Sequence, residues 1–431
     1  MPGVQRLLPG MPCRACFVSS SATRLLPCVV CGADTLVCLN LAKQPLANAL
    51  LGSSTEAYER YPLGLASCPE CSHGQLTHFV PPERLFANYL YASGTGEALK
   101  PYFEWFAASL AASLRPGARV LEIACNDGSL LDCLRAAGLD ACGVDPAANL
   151  TSLARSRGHH VLTGFFPETR PDGAFDAIIA MNVLAHTPDP AALMRGIRSL
   201  LKPDGIAIVQ TSQAFMLING EFDTIYHEHY SFFTPHSMYR LAANADLTLG
   251  SRHIVSVHGS SLISTFYCAG APPGTASFVG GGAFDLPWPN PEPGILAIDP
   301  PQGSAEQYYR RFSERAQTVI KQSVDLIARS RRDGSPIALI GVAAKAMTFI
   351  VAAGITPDYF LDESALKCGR FVPGSSKAIQ PLRNAAELDE NTVFIIGAWN
   401  FTEQLAGKVR ALRPTRNNRF VVFFPEIKEF S

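Results

Sequence analysis

The 431-residue chain lacks the charge bias and the N-terminal apolar run that mark several large classes of protein. Its formal net charge is −1, and no block of lysine and arginine occurs that could follow a phosphate backbone. We therefore expect no nucleic-acid partner. Pro2, Pro9 and Pro12 interrupt every apolar run near the N-terminus, which argues against a signal peptide. Residues 1–26 are expected to form a loose extension, with a transit segment as the alternative.

The chain also lacks a clean membrane span. One apolar window, residues 337–355, contains Gly341 directly after a strand-like run and Lys345 near its middle. This pattern favours a strand, a turn and a buried helix over a membrane-spanning helix. With 47% hydrophobic and 17% charged residues, the chain is globular and long enough for about two or three domains. We expect a cytoplasmic protein with no membrane partner.

Cysteine, in contrast, is abundant, and most of the informative cysteines come in pairs. Four of the twelve cysteines form two Cys-x-x-Cys pairs, in the motifs CVVC and CPEC. Four such thiolates can close a tetrahedron around a structural zinc ion, and they indicate a reducing compartment. The alternative is two unrelated pairs of buried thiols. The predicted zinc ligands are Cys28, Cys31, Cys68 and Cys71. A third pair, Cys13 and Cys16, receives no role.

Strands and helices alternate after residue 118. The stretch ARVLEIACNDGSLLDCLRAAG reads as strand, turn and helix, and DACGVDP reads as a second strand that ends in an acid. Further strands are predicted within residues 175–186 and 202–210, and a hairpin over 247–268. The pattern predicts a doubly wound α/β domain. A Pro/Gly-rich stretch follows at 271–303, then a helix and a smaller α/β unit.

The turn EIACNDG, residues 122–128, lacks the three glycines of a dinucleotide-binding fingerprint. An acid at the strand end, Glu122, the small Ala124 and the polar Asn126 and Asp127 suit a ligand with an amino-acid tail and no phosphate. S-adenosylmethionine (SAM) has such a tail. The remaining predicted cofactor residues are Gly128 in the turn, Asn182 after a later strand, Asp145 as acceptor for the ribose hydroxyls, and Phe165 and Phe166 as packing for the adenine.

The stretch FDTIYHEHYSFFT, residues 222–234, holds two histidines, two tyrosines and two acids. Methylation of a carbon beside a carbonyl needs a base, a stabiliser for the enolate oxygen and an aligned methyl donor. His229 is the predicted base, with Glu228 fixing its tautomer. Hydrogen-bond donation to the carbonyl suits Tyr226, with Tyr91 or Asn182 as further candidates.

Two other interpretations of this stretch remain open. On a strand, His227 and His229 would share a face and could bind a metal, although the spacing is not that of a zinc protease. The block could also be a hydrogen-bonded core cluster, since satisfied histidine and tyrosine are common in protein interiors. For the isolated His253 and His258 we predict structural roles.

The combination of CVVC, CPEC, LEIACNDGSLL, NVLAH and FDTIYHEHYSFFT resembles the SAM-dependent deoxysugar C-methyltransferases. The resemblance runs from about residue 27 to the C-terminus and includes LAKQPLANALL, YLYASGT, GVAAKA and LDESALKCGRFVPG. Enzymes of this family methylate nucleotide-linked 4-keto sugars in antibiotic pathways. The chain departs from the family in having Ala124 where glycine is usual and HGSSL at residues 258–262 where HGGSL is usual.

The resemblance implies three domains and a set of site residues. It places acid/base residues at Tyr226, Glu228 and His229, with contributions from Tyr91, Asn182 and His186; Tyr89 is the alternative to Tyr91. The expected architecture is a class I SAM methyltransferase domain between a small zinc-binding domain and a C-terminal Rossmann-like domain. The expected divisions are an extension at 1–26, a zinc-binding domain at 27–80, a methyltransferase domain at 81–270, a linker at 271–303 and a C-terminal domain at 304–431.

The expected reaction is methyl transfer from SAM to a carbon beside the ketone, carbon 3, of a dTDP-linked 4-keto deoxysugar. Lys345, and more weakly Arg370, are candidates to hold the diphosphate of this substrate, while a solvated surface lysine is the alternative for Lys345. The expected partner is thus a nucleotide-linked small molecule, and the chain is expected to be a monomer or weak oligomer. The alternatives are a non-sugar enolisable acceptor, such as a polyketide or peptide, and a zinc-ribbon interaction protein with an inactive methyltransferase domain.

Overall fold

The structure is a computed structural model that describes residues 26–86, 99–212, 215–271, 278, 284–286 and 305–431. These residues form three β-sheets. The first part of the chain contributes short antiparallel strands and one helical turn. Its elements are β1 Leu36–Gln44, β2 Tyr61–Ser67, β3 Gly74–Leu76 and α1 Pro82–Phe86. The leader with Cys13 and Cys16, the pair Tyr89 and Tyr91, and most of the 271–303 stretch lie outside the described residues.

The central part alternates strands and helices, as the sequence predicts. Its core strands are almost continuous apolar runs, because helices cover both faces of a parallel sheet. The elements are α2 Lys100–Ala111, β4 Arg119–Ile123, α3 Ser129–Ala136, β5 Asp140–Asp145, α4 Ala148–Ser156, β6 Val161–Thr163, β7 Phe175–Met181, α5 Pro190–Leu200, β8 Leu201–Ser212, α6 Met216–Asn219, β9 Ser231–Phe232, α7 Pro235–Ala243, β10 Leu247–Val255, β11 Ser261–Cys268 and β12 Asp285–Leu286.

The central sheet has the strand order β12-β10-β11-β8-β7-β4-β5-β6. Strands β4 to β8 are parallel to one another, whereas β10 and β11 form an antiparallel pair beside β8. The predicted doubly wound sheet and the predicted hairpin over residues 247–268 are therefore confirmed. In such a sheet the carboxyl ends of the parallel strands point to one edge, which is the usual position of a ligand.

The C-terminal part begins with one long helix and continues as a second α/β unit. Its sheet has the order β15-β14-β13-β16-β17-β18, parallel except for the last strand. The elements are α8 Ala305–Arg332, β13 Ile337–Ile340, α9 Ala344–Ala353, β14 Tyr359–Asp362, β15 Ile379–Pro381, β16 Val393–Ile396, α10 Thr402–Leu412, β17 Arg419–Val422 and β18 Lys428–Phe430.

The apolar window at residues 337–355 folds as strand β13, a turn at Gly341 and helix α9, as its sequence predicts. Gly341 has a φ of 79°, and a Cβ there would lie 2.9 Å from that of Ala398. The turn therefore needs glycine for both its backbone and its close packing. Within the described residues, no helix is both long and apolar enough to cross a membrane.

The first sheet is completed by a strand from the central part of the chain. Its order is β1-β2-β3-β9, with Gly74 opposite Phe232 and Gln75 opposite Ser231. Helix α8 packs along the same sheet, and the Tyr309 hydroxyl donates a 3.0 Å hydrogen bond to the carbonyl of Ser72. One apolar core runs from this sheet through α8 and α9 into the C-terminal sheet. The three parts of the chain are consequently packed into one body around a shared core.

Candidate active site

A cavity of about 1850 Å³ is lined by residues from all three parts of the chain. The loop after β1 contributes Asn48, the carboxyl end of β4 contributes Glu122, and the start of α9 contributes Lys345. Sites for one small molecule usually have volumes of about 300–1,000 Å³. This cavity is large enough for two small molecules side by side, as a transfer reaction between two ligands requires.

The four predicted zinc ligands meet beside the first sheet. The Sγ atoms of Cys28 and Cys71 lie 3.5 Å apart, as do those of Cys31 and Cys68, and all four lie within 4.8 Å of one another. A tetrahedral zinc ion with Zn–S bonds of about 2.3 Å needs sulfurs about 3.8 Å apart. Hydrogen bonding within the cluster lowers the pKa of Cys68 and raises the pKa of Cys28 and Cys71, so one thiolate at Cys68 is shared among its neighbours. The donor set fits a closed, structural zinc site.

Two tight turns aim these sulfurs at a common point. The amide of Gly32 donates to the carbonyl of Cys28 at 2.8 Å, and the amide of Ser72 donates to that of Cys68 at 3.0 Å. Gly32 and Ser72 have φ values of 78° and 57°, so each turn closes through a left-handed residue. The equivalence of the two turns explains why both Cys-x-x-Cys pairs converge.

The turn after β4 is shaped by three left-handed residues. Ala124, Asn126 and Gly128 have φ values of 56°, 53° and 82°. Ala124 and Asn126 line the cavity, but Gly128 does not. A Cβ on Gly128 would approach atoms of Ala154 and His159 to 3.0 Å. Gly128 therefore allows the turn to pack on α4, and its contact with the cofactor stays a prediction.

Asp145 is placed as predicted, at the end of β5 and on the cavity wall. Its Oδ2 accepts from the amide of Asn126 at 2.9 Å, and its Oδ1 accepts from that of Ala147 at 2.8 Å. These two bonds fix the carboxylate plane, and burial raises its pKa. Asp127 does not line the cavity. It accepts from Ser129 and serves the start of α3 instead.

Two buried acceptor oxygens at the ends of adjacent strands have no hydrogen-bond donor among the residues that the structure describes. They are Oε2 of Glu122, at the end of β4, and Oδ1 of Asn182, directly after β7. Both side chains line the cavity. Burial, reinforced by the charge of Asp145, raises the pKa of Glu122 well above its ordinary value. An ammonium group would satisfy both oxygens, so this end of the cavity fits the amino-acid tail of SAM.

Of the two predicted adenine contacts, one packs against the core as well as lining the cavity. Phe165 and Phe166 are both half-buried and line the cavity. Phe166 packs against Gly196 of α5, where an added Cβ would lie 2.8 Å from its ring. Phe165 belongs to no core cluster of the described residues. Phe165 is therefore the ring more available to a flat heterocycle.

The YHEH segment, residues 226–229, follows a 3-10 turn at Phe222–Thr224 and precedes β9. The Nδ1 of His229 lies 2.8 Å from the carbonyl oxygen of Thr224, and its Nε2 lies 2.9 Å from the Tyr226 hydroxyl. Because a carbonyl can only accept, Nδ1 carries the proton, and Nε2 of the neutral ring accepts from Tyr226. We expected Glu228 to fix this tautomer; the Thr224 carbonyl does so instead.

His229 and His186 are neutral bases at neutral pH. Burial lowers the pKa of His229 well below its ordinary value, with the neighbouring His186 adding to the effect. Burial likewise lowers the pKa of His186 to about 4. The centres of the two rings are 4.7 Å apart, and Nδ1 of His186 donates to the backbone carbonyl of Glu228 at 2.8 Å. His186 therefore supports the backbone of the YHEH segment from the side of the central sheet.

His227 points away from the cavity, so the metal interpretation of HEH is wrong. The segment is a turn and not a strand, which removes the shared face that the interpretation required. Nε2 of His227 lies 3.4 Å from the carbonyl oxygen of Tyr61, and the rings of these residues meet edge to face. Among the described residues, the four cysteines form the metal-binding group.

Lys345 lies in the first turn of α9 with its Nζ 4.6 Å from the centre of the Trp399 ring. The Trp399 indole donates to Oδ2 of the buried Asp223 at 2.7 Å. This places the cation on an aromatic face at the cavity wall. Arg370 does not line the cavity, so the structure does not bring this candidate to the site. Lys367 lines it instead and donates to the Val342 carbonyl at 2.9 Å.

Several cavity residues were not found from the sequence. His258, which we predicted to be structural, lines the cavity, and burial lowers its pKa to about 4. Glu221 directly precedes the FDTIYHEH stretch and is 1% exposed, and burial raises its pKa to about 7. Asn48 comes from a distant loop. A signal existed only for Glu221, through its place beside the motif; the others depend on tertiary contacts.

Matches to known protein families follow the same three-part organisation. Residues 28–86 match a zinc binding domain, residues 97–251 a methyltransferase domain, and residues 302–425 the C-methyltransferase C-terminal domain. Together with the donor sets described above, these matches define a SAM-dependent methyltransferase with a cysteine-ligated zinc site.

More particularly, these matches and the similarity of the chain to a C-methyltransferase indicate a SAM-dependent C-methyltransferase. C-methyltransferase NovU from Streptomyces niveus is 29% identical to it over 94% of this chain and 96% of that protein. A ubiquinone biosynthesis O-methyltransferase from Xanthomonas campestris pv. campestris is 36% identical over 22% of this chain and 44% of that protein. The solved structure of magnesium protoporphyrin IX methyltransferase from Synechocystis PCC 6803 with bound SAM is 17% identical, covers 39% of this chain and 79% of that chain, and gives a TM-score of 0.32.

We predict that the zinc ion stabilises the pairing of β3 with β9, the strand that follows the YHEH residues. Replacement of the buried Cys71 by serine should remove zinc, seen by elemental analysis, and should increase amide hydrogen exchange in β3 and β9 while β4 stays protected. Cys38→Ser is the matched control, because this thiol lies in the same sheet, outside the cluster, and donates to the Leu65 carbonyl. Unchanged exchange in β9 after zinc loss would contradict the prediction.

We also predict that SAM binding is coupled to ionisation of Glu122. Because burial raises the pKa of this carboxyl, a proton and a bound cation compete for it, so affinity should fall as the pH is lowered. Glu122→Gln should weaken binding about 10-fold or more and flatten this dependence, as measured by calorimetry. Asp140→Asn, an exposed change on β5, should behave like the wild type. A Glu122→Gln profile parallel to the wild type would argue against the assignment.

Proposed function

We propose that the protein transfers a methyl group from SAM to a carbon beside the ketone of a dTDP-linked 4-keto deoxysugar, at carbon 3. The observation that carries the proposal is the Tyr226–His229 pair, which faces the same cavity as the acceptors of Glu122 and Asn182 and the cation of Lys345. A neutral base, an ammonium site and an anion site are thus combined in one cavity. The full-length similarity to C-methyltransferase NovU supports carbon as the accepting atom.

The residues of this chain bind, orient and move a proton. SAM, when bound, supplies an electrophilic methyl group on a sulfonium centre. Glu122 and Asn182 hold the ammonium group, and Asp145 accepts from the ribose hydroxyls. The walls of the cavity, which come from all three parts of the chain, hold the acceptor in a fixed position, which reduces the entropic part of the barrier.

Proton removal is proposed to run through Tyr226 to His229. In the structure the lone pair of His229 Nε2 is directed at the Tyr226 hydroxyl. As the substrate C–H bond breaks, its proton joins the tyrosine oxygen, and the tyrosine O–H proton moves to Nε2. The electron pair of the C–H bond moves into the enolate, whose oxygen accepts from the Asn182 amide. The Thr224 carbonyl then stabilises the imidazolium through Nδ1–H.

A second acceptor class is favoured by one feature of the cavity wall. Ser260 lines the cavity with φ 82° and ψ 114°, a region that glycine adopts readily and other residues rarely adopt. It stands at the position where HGGSL of the resembled family has glycine. A hydroxyl on this strained loop alters the acceptor end, so a non-sugar enolisable acceptor is the alternative. Assay of methyl transfer against a panel of dTDP-4-keto sugars and of small β-dicarbonyl compounds separates the two classes.

The proposed base predicts hydrogen exchange without methyl transfer. With S-adenosylhomocysteine bound, the enzyme should incorporate solvent deuterium at the carbon beside the ketone of a dTDP-4-keto sugar, as seen by NMR. His229→Ala and Tyr226→Phe should each slow this exchange about 100-fold or more, because each interrupts the relay. The low pKa of His229 keeps the base unprotonated at neutral pH, so the rate should stay flat from about pH 8 to 6.5 and fall below that range.

His160→Ala, an exposed change on the same domain, should leave exchange unaltered. Persistent exchange in Tyr226→Phe with loss in His229→Ala would assign the base role to His229 without the relay. Persistent exchange in His229→Ala would contradict the proposed mechanism.

The proposed nucleotide site predicts a charge-dependent KM. Lys345→Met should raise KM for the dTDP-sugar about 10-fold to 100-fold, the value of a charge-assisted contact of about 1.5–3 kcal/mol, with little change in KM for SAM. Arg370→Met is the matched control, because this cation lies near the site in sequence but outside the cavity. Equal effects of the two substitutions would argue against a diphosphate at Lys345.

A further inference from the structure

The loop that follows β1 delivers a polar side chain to the YHEH segment from the zinc-binding part of the chain. The Asn48 Nδ2 donates a 2.6 Å hydrogen bond to Oε1 of Glu228, across 180 positions of sequence. Both side chains line the cavity. Asn48 is half-buried, whereas Glu228 is 4% exposed. A carboxyl group at that depth needs hydrogen-bond partners of fixed position.

The loop that carries Asn48 is held at both ends. Before it, the buried Gln44 ends β1 and donates to the Leu41 carbonyl at 3.2 Å. After it, Leu51 and Phe371 exchange two backbone hydrogen bonds of 2.8 and 2.9 Å, which join the loop to the C-terminal part. A side chain on a loop with such anchors has a defined position, so its bond to Glu228 is a directional constraint and not a passing surface contact.

The backbone of Glu228 is fixed as well, from two other directions. His186 donates to its carbonyl at 2.8 Å, and the amide of Leu76 in β3 donates to the carbonyl of Tyr230 at 2.9 Å. With the backbone fixed, the direction of the Glu228 carboxylate depends on its side-chain torsions and hence on the donors that bind it. Asn48 supplies such a donor to Oε1, and this hydrogen bond helps to set the plane of the carboxylate.

We infer that Asn48 is a positioning residue that orients the Glu228 carboxylate in the active site, so that the zinc-binding domain contributes directly to the chemistry. The inference rests on the proposed function in assigning Glu228 a role in turnover. A neutral amide donor is suited to this task because it binds a carboxylate without forming a competing ion pair. An aspartate at the same position would have the same shape and the opposite hydrogen-bonding character.

Asn48→Asp is therefore the decisive variant. Two carboxyl groups at hydrogen-bond distance cannot both be ionised, so one must hold a proton before the contact can form. We expect kcat to fall about 10-fold or more at pH 8 and to recover as the pH is lowered towards 6, which moves the pH optimum down by about one unit, with KM for SAM unchanged. Asn48→Ala, which cannot form the contact at any pH, should lose activity without this recovery.

Other ionisable groups near the pair are His186, His229, Tyr230 and Glu83, since the charges of Glu83 and Glu228 both act on Tyr230. They are the same in every variant, so the difference between the aspartate and alanine profiles reports on position 48. Asn40→Asp is the matched control. Its Oδ1 accepts from the Ala42 amide at 2.8 Å on an exposed part of β1, a bond that aspartate keeps, and its profile should match the wild type.

Parallel pH profiles for Asn48→Asp and Asn48→Ala would overturn the inference. If the wild type methylates none of the offered acceptors, the proposed function fails, and the contact is then judged without substrate. Thermal unfolding of Asn48→Ala, Glu228→Ala and the double variant should show losses in Tm that are less than additive. Additive losses would show that the two side chains do not act together and would overturn the inference independently of any acceptor.

Discussion

The pairing of β3 with β9 is the constraint on which the rest of the site depends. Two residues of the central part, Ser231 and Phe232, complete a sheet whose zinc ligands lie in the turn before β1 and in the turn between β2 and β3. A single residue, Tyr230, separates the YHEH segment from Ser231. Its direction is therefore set by pairing with a sheet beside the cysteine cluster, so the predicted zinc site would act on the tyrosine and the histidine through this sheet, although it has no place for a substrate.

The same constraint explains why the YHEH segment has partners on opposite sides. Tyr61 and Asn48 contact it from the zinc-binding part, and His186 contacts it from the loop after β7. Each partner binds a different atom of the segment, so its backbone and side chains are fixed independently. A turn of this length would otherwise sample many conformations, and fixing it in advance lowers the entropic part of the reaction barrier.

Local patterns predicted the parts of this protein that depend on neighbours in sequence. The Cys-x-x-Cys pairs and the alternation of strands and helices are of this kind, and the zinc site and the central sheet have the predicted form. The orientation of a side chain in a turn depends on tertiary contacts. The sequence therefore gave no reason to choose the Thr224 carbonyl over Glu228 as partner of His229, or Lys367 over Arg370 as a cavity cation. Gly128 shows a further limit, because sequence alone does not distinguish a glycine that packing requires from a glycine that lets a ligand approach.

The cavity has buried acids at one end and a cation at the other, and this distribution of charge distinguishes the two proposed ligands. Buried acids at one end, Glu122 and Asp145, have pKa values raised by desolvation, so a cation that lies against them gains the interaction that water no longer supplies. At the other end Lys345 presents a positive charge, which acts on His229 and on His258. His229 lies within reach of both ends, beside His186 on the loop that follows Asn182 and within the field of Lys345. In the proposed reaction, these opposite charges would align a cationic donor and an anionic acceptor, with the neutral His229 between them.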